Sequence, residues 1–192
     1  DMLPENLRAQ AANKLVENVK SYGNHLTTGF LGTPYLCEVL TRFGHTATAY
    51  QLLLQESYPS WLYPVKMGAT TIWERWNGIR TDSSFEPASM NSFNHYAYGA
   101  IGDWMYRSVV GLDTYEDGVG YQHSKIQPHL GKGLTHASAS LETYYGKLSS
   151  GWKISNGMIE WKATIPSNTR TTVILPAASV DDIKENGNAL DA

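Results

Sequence analysis

Apolar positions in residues 4–22 fall at Leu7, Ala11, Leu15 and Val19, four apart, between Pro4 and Gly23. That spacing returns to one side of a 3.6-residue turn, so it predicts an amphipathic helix opened by proline and closed by glycine. The same reading predicts a helix over 30–43, with Phe30, Tyr35, Leu36, Val39, Leu40 and Phe43 stopped by Gly44, and another over 46–55, with Ala47, Ala49, Tyr50, Leu53 and Leu54. Short links make these antiparallel neighbours. Residues 91–110 carry Phe93, Ala97, Ala100, Ile101, Trp104, Met105 and Val109 at helical spacing. Within that run Gly99 and Gly102 each lower helix propensity by about 1 kcal/mol, which predicts close packing against a neighbour.

Beyond Gly111 the period changes to two. Ile159, Trp161, Ala163 and Ile165 alternate with Met158, Glu160, Lys162 and Thr164, behind a Ser155-Asn156-Gly157 stretch suited to a type I′ hairpin turn. Thr171, Val173 and Leu175 form a similar strand, and 121–127, 135–145 and 147–154 are further candidates. The expected fold is mixed α and β in two regions: helices over 1–112, then a small antiparallel β-sandwich over 113–192. The boundary is expected near 112–120, where Asp113, Glu116 and Asp117 cluster with Gly111, Gly118 and Gly120.

Composition narrows the function. The chain has 192 residues, 42% hydrophobic and 17% charged, enough to bury a core in one or two domains. A net charge of -3 without any Lys/Arg cluster argues against nucleic acid or an anionic membrane as partner. The longest apolar runs, such as 101–110, are interrupted by glycine and charge, so none approaches the roughly 20 residues of a membrane span, and a soluble protein is expected. A lone Cys37 cannot form an internal disulfide, which fits a reducing compartment. Six Trp and 12 Tyr need explaining, because so many aromatics mean a dense core, a sugar-stacking surface, or both.

The longest connection, 58–95, holds the unusual residues. In "GATTIWERWNG" (68–78) one carboxylate, Glu74, stands between Trp73 and Trp76. Either the tryptophans are core and Glu74 pairs with Arg75 or Arg80, or the three line a pocket. Trp61, Tyr63, Asn91, Asn94, His95 and Tyr96 belong to the same stretch or its edge. Indole faces stack on the C–H faces of a sugar while Glu, Asn, His and Arg match its hydroxyls, so carbohydrate is the ligand class this mixture suits. His95 has an equally ordinary reading as a helix-start histidine satisfied by backbone or by Asn94. The six histidines show no metal-ligand spacing, and there is no Gly-rich phosphate loop and no G-x-S-x-G elbow, so neither metal nor cofactor is expected.

Four stretches, "TTGFLGTPYLCEVLTRFGH" (27–45), "YPSWLYPVKMGATTIWERWNG" (58–78), "MNSFNHYAYGAIGDWMYR" (90–107) and "IPSNTRTTVILP" (165–176), together resemble the carboxyl-terminal part of bacterial α-L-rhamnosidases of glycoside hydrolase family seventy-eight. The "ATTIWERW" and "NSFNHYAYGA" blocks are the specific ones. The resemblance implies the last helices of an (α/α)6 barrel catalytic domain followed by a β-sandwich, in an enzyme that cleaves terminal α-L-rhamnosyl residues with inversion. It implies that Glu74 is the general base, that His95 sits in the sugar subsite, and that Trp61 and Trp73 belong to its aromatic wall, with Trp76 a further substrate-binding residue that keeps bulk solvent from Glu74. The family's general acid lies in a block upstream of Asp1, and inversion needs both acid and base. The chain is therefore expected to be a piece of such an enzyme, with a rhamnose-containing glycoside and the missing N-terminal part as partners, in a bacterial cytoplasm or periplasm. A non-catalytic carbohydrate-binding module and a purely structural helical domain are the alternatives.

Overall fold

The computed structural model describes residues 2–190; the outermost positions of the two expected regions, 1 and 191–192, lie outside the described residues. The chain divides into two compact units. The first takes residues up to Tyr106 together with Leu130–Thr135, and the second takes Arg107–His129 and everything from His136 onward.

The first unit contains α1 (Glu5–Ser21), α2 (Thr33–Arg42), α3 (Thr46–Leu53), the short α4 (Leu62–Lys66) and α5 (Ile101–Trp104). α1 forms where the spacing predicts it and buries Val19 of the expected stripe, but its other buried residues are Ala12 and Val16, each one position on from Ala11 and Leu15. Leu7 of that stripe is exposed and Ala11 and Leu15 are half-buried, so α1 carries a second, partly uncovered apolar face. α2 buries Leu36, Cys37 and Leu40 against α3, whose Ala49, Tyr50 and Leu52 are almost fully enclosed. Trp104 of α5 closes this core. Its ring meets Tyr50 edge-on at 5.4 Å and its Nε1–H donates to Thr41 Oγ1 at 2.9 Å, so a large apolar body is buried with its one polar atom satisfied. Gly131 lies so close to Tyr50 that a Cβ there would sit 2.2 Å from the ring, which is how residues 130–135 come to belong to the helical unit.

The helix expected over 91–110 starts late. Residues 91–96 are irregular, a 3-10 turn (Ala97–Ala100) leads into α5, and a π turn (Met105–Val110) follows. The reason is competition for backbone groups: Ser92 and His95 pair with the 72–74 stretch, through Glu74 N–H to Ser92 O at 2.9 Å and His95 N–H to Ile72 O at 2.8 Å.

The second unit is β-rich. β1 (Leu112–Thr114), β2 (His123–Ile126) and β6 (Arg170–Val173) form one sheet; β3 (His136–Thr143), β4 (Gly146–Ser155) and β5 (Met158–Thr164) form another; β7 (Lys184–Glu185) and β8 (Asn188–Ala189) make a small hairpin. All pairs are antiparallel except β2 with β6, which run parallel, a departure from the all-antiparallel expectation. Leu148, Ser150 and Trp152 of β4 alternate inward, and Leu148 joins Val110, Leu112 and Ile126 in the core. Asn156 and Gly157 both have positive φ, as a type I′ turn between β4 and β5 requires. β5 forms where the alternation predicts a strand but does not alternate in burial: Trp161 is half-buried, while Ile159 is 43% exposed and Ile165, just past the strand, 45%.

Candidate active site

The 68–98 segment of the helical unit folds back on itself around Glu74. The Glu74 main chain pairs with Ser92, and the Ser92 N–H also donates to Glu74 Oε2 at 2.8 Å. A backbone donor on a half-buried carboxylate orders the glutamate side chain without a second side chain having to be ordered with it. Oε1 has no protein partner among the described residues, and Glu74 forms no ion pair with either arginine. Both guanidiniums turn to Glu86: Arg80 at 2.7 Å and Arg75 at 3.9 Å, with Arg75 Nε also on Met90 O at 2.6 Å. The hydrogen bond from Arg80 holds the Glu86 carboxyl below the usual carboxylate range. The pairing that a merely structural Glu74 would make is thus taken by another residue.

Indole nitrogens separate the tryptophans into two groups. Trp61 donates to Tyr98 O, Trp104 to Thr41 Oγ1, Trp152 to Val109 O and Trp161 to Ser150 Oγ. Trp73 and Trp76, the two that flank Glu74, have no acceptor among the described residues, although each is at most 9% exposed. Neither nitrogen is among the fully enclosed unpaired atoms, where only Asn91 Oδ1 is found, so both keep a path to solvent. Trp73 packs edge-on against Phe93 at 5.0 Å. Trp76 stacks on Tyr98 at 3.7 Å and meets Trp61 edge-on at 5.4 Å, so Trp61 is buried behind Trp76 as its support.

His95 is sandwiched between Phe30, 4.8 Å away and nearly parallel, and Tyr96 at 5.6 Å. Its Nδ1 accepts the Ala97 N–H at 3.3 Å, so the neutral ring carries its proton on Nε2 and presents a donor there. Phe30 also contacts Tyr98 at 5.1 Å, linking His95 to the Trp76 stack. Sequence reasoning singled out Glu74, His95, Trp61, Trp73 and Trp76; four of them lie in this segment, and Trp61 packs onto it from the start of α4 through Trp76 and Tyr98 O. That reasoning missed Ser92, which acts through a backbone N–H that no residue type betrays, and Phe30 and Tyr98, whose only signal was aromatic character inside the "TTGFLGTPYL" and "NHYAYGA" stretches.

A half-buried carboxylate with one free oxygen, flanked by aromatic rings carrying unpaired donors, has the chemistry that suits a hydroxylated ring with apolar faces. Comparison with known proteins makes this specific. Residues 1–109 match the bacterial alpha-L-rhamnosidase 6 hairpin glycosidase domain, and residues 111–190 match the bacterial alpha-L-rhamnosidase C-terminal domain. The chain belongs to the bacterial α-L-rhamnosidase family. An alpha-L-rhamnosidase of Formosa agariphila is 44% identical over 96% of this chain, and one of Streptomyces avermitilis is 42% identical over the same share. The crystal structure of the Streptomyces avermitilis enzyme complexed with L-rhamnose superposes with a TM-score of 0.89 over 93% of this chain at 43% identity, and that of native Aspergillus terreus α-L-rhamnosidase with 0.85 over 90% at 37%. The chain spans about a fifth of the length of these relatives, 20% and 18% of the two sequences and 17% and 20% of the two structures.

Proposed function

We propose that this chain is the part of an inverting α-L-rhamnosidase that supplies the general base and one side of the sugar subsite. Glu74 Oε1 takes the proton from the water that attacks the anomeric carbon, while the Ser92 N–H on Oε2 holds the carboxylate in place. His95 Nε2–H donates to a sugar hydroxyl, Trp73 and Trp76 offer ring faces and N–H groups to the rhamnose, and Trp61 keeps Trp76 in position. The general acid comes from a part of the enzyme outside these 192 residues. The observation that carries this reading is the combination at Glu74: one oxygen pinned, one free, and no cation within ion-pair distance, although two arginines lie in the same segment.

The test is Glu74→Gln in the full-length gene product, which keeps shape and removes the proton acceptor. A base is needed whatever the leaving group, whereas an acid becomes dispensable when the leaving group is good. Turnover should therefore fall by at least roughly 10²-fold on natural and activated aryl rhamnosides alike. Near-normal rates on the natural substrate, or recovery on the activated one, would remove Glu74 from the role.

A further inference from the structure

A second feature of the helical unit adjoins the residues assigned to rhamnose and shares Trp76 with them. A cleft of about 480 Å³ opens between the C-terminal end of α1, the 25–29 loop and the Tyr58–Pro59 turn. Its floor is the Trp76–Tyr98 stack, and its rim carries Tyr22 and Tyr58. These two rim rings are 59% and 52% exposed, a hydrophobic cost that the edge-on contact of Tyr58 with Tyr63 at 5.8 Å offsets only in part. The floor is polar where it meets the opening. The Trp76 Nε1–H has no acceptor, and the Tyr98 hydroxyl likewise has no partner among the described residues. Thr27 and Thr28 add hydroxyls on one wall.

We infer that this cleft is a saccharide subsite for the sugar unit to which the rhamnose is attached, with Tyr22 and Tyr58 as stacking rims and Tyr98 OH as a hydrogen-bonding group. Rings flanking a slot and unpaired donors on its floor fit a pyranose, whose faces are apolar and whose edge is hydroxylated. A lipid or an apolar peptide would leave the phenol unsatisfied. The position follows from the ring order. His95 stacks on Phe30, Phe30 touches Tyr98, and Tyr98 lies on Trp76 at the cleft floor. The cleft therefore begins two rings beyond the histidine proposed to hold rhamnose, which leaves room there for the neighbouring unit.

This inference rests on the rhamnosidase reading, and the experiment separates the two. Two substrates are compared with the full-length gene product: a disaccharide with terminal α-L-rhamnose, and α-L-rhamnosyl fluoride, whose leaving group is a single atom and cannot reach a second subsite. Turnover of the fluoride by the unaltered protein, and its loss in Glu74→Gln, reads the rhamnosidase assignment alone. The cleft is read by the ratio of kcat/KM for the disaccharide to that for the fluoride. Tyr22→Ala and Tyr58→Ala should each lower this ratio by about five- to tenfold, mainly through KM, and Tyr22→Phe should restore it because the ring is kept. A ratio unchanged in both variants overturns the proposal. So does an equal loss on both substrates with a lowered thermal midpoint, the result expected if the tyrosines pack against another segment of the protein. If Tyr22→Ala does not fold, saturation-transfer NMR on the unaltered protein decides: the free leaving-group sugar must receive magnetisation from tyrosine ring protons, and absence of transfer overturns the site.

Discussion

Cys37 shows how far burial alone sets a side chain's chemistry. It is 2% exposed, and desolvation pushes its thiol up from an ordinary 9.0 to about 12. Below pH 9 the thiol is protonated whether the chain is folded or not, and stability is unaffected. Between pH 9 and 12 the unfolded chain ionises while the folded one does not, so stability should fall by about 1.4 kcal/mol per pH unit from this group. Tyr50, raised from 10.0 to about 12 by the same cause, adds to the loss above pH 10. Denaturant titrations between pH 8 and 11 check this, and Cys37→Ala should flatten the part of the slope that begins near 9. The folded protein should likewise resist iodoacetamide at pH 8 and react once unfolded in urea. At this scale the sequence was informative about residue types and silent about partners. It offered two fates for Glu74, paired with an arginine or lining a pocket, and the arginine pairing is removed by Glu86, which takes both arginines from a position twelve residues along the chain.

Elements were legible wherever a period persisted over several turns or strand pairs. α1, α2, α3 and β3 to β5 lie where spacing places them, and the Asn156-Gly157 turn follows from residue chemistry alone. Periodicity could not say which of two apolar faces α1 would bury, because Leu7, Ala11 and Leu15 satisfy it as well as Ala12 and Val16 do. Nor could it reveal that 91–96 would give up helix for pairing with 72–74, or that β6 would run parallel to β2, since both depend on partners far along the chain. The join between the π turn and β1 provides an element-scale test. Gly111 has φ +86°, and a Cβ there would lie 2.4 Å from Pro128 N and 2.5 Å from Gln127 C, main-chain atoms that no rotamer change can move. Gly111→Ala should therefore cost about 2–4 kcal/mol, more than a surface substitution and comparable to emptying a core position. A denaturant midpoint within error of the parent would contradict the crowding.

Taken whole, and on the function proposed above, the 192 residues hold one half of an acid–base pair. Inversion requires a second carboxyl that is protonated at the start of the reaction, about 6.5 to 9.5 Å from the base. Glu86, the other glutamate of the candidate segment, is held ionised by Arg80 and cannot donate that proton. The isolated chain should accordingly show no turnover of a natural rhamnoside, and measurable hydrolysis by the purified chain would require an acid we have not identified. Its helical unit also leaves Leu31, Tyr35 and Tyr96 68% to 90% exposed, which fits a protein spanning a fifth of its relatives' length. The return of Leu130–Thr135 to the helical unit has a consequence for anyone recombining these proteins. The family boundary near residue 110 looks like a natural splice point, yet a chimera joined there would take the lid off Tyr50 and Leu54, whose Gly131 and Gly133 neighbours are encoded downstream of the junction. The two units are interleaved in the gene, and shuffling that respects them must carry this six-residue passage with its helices.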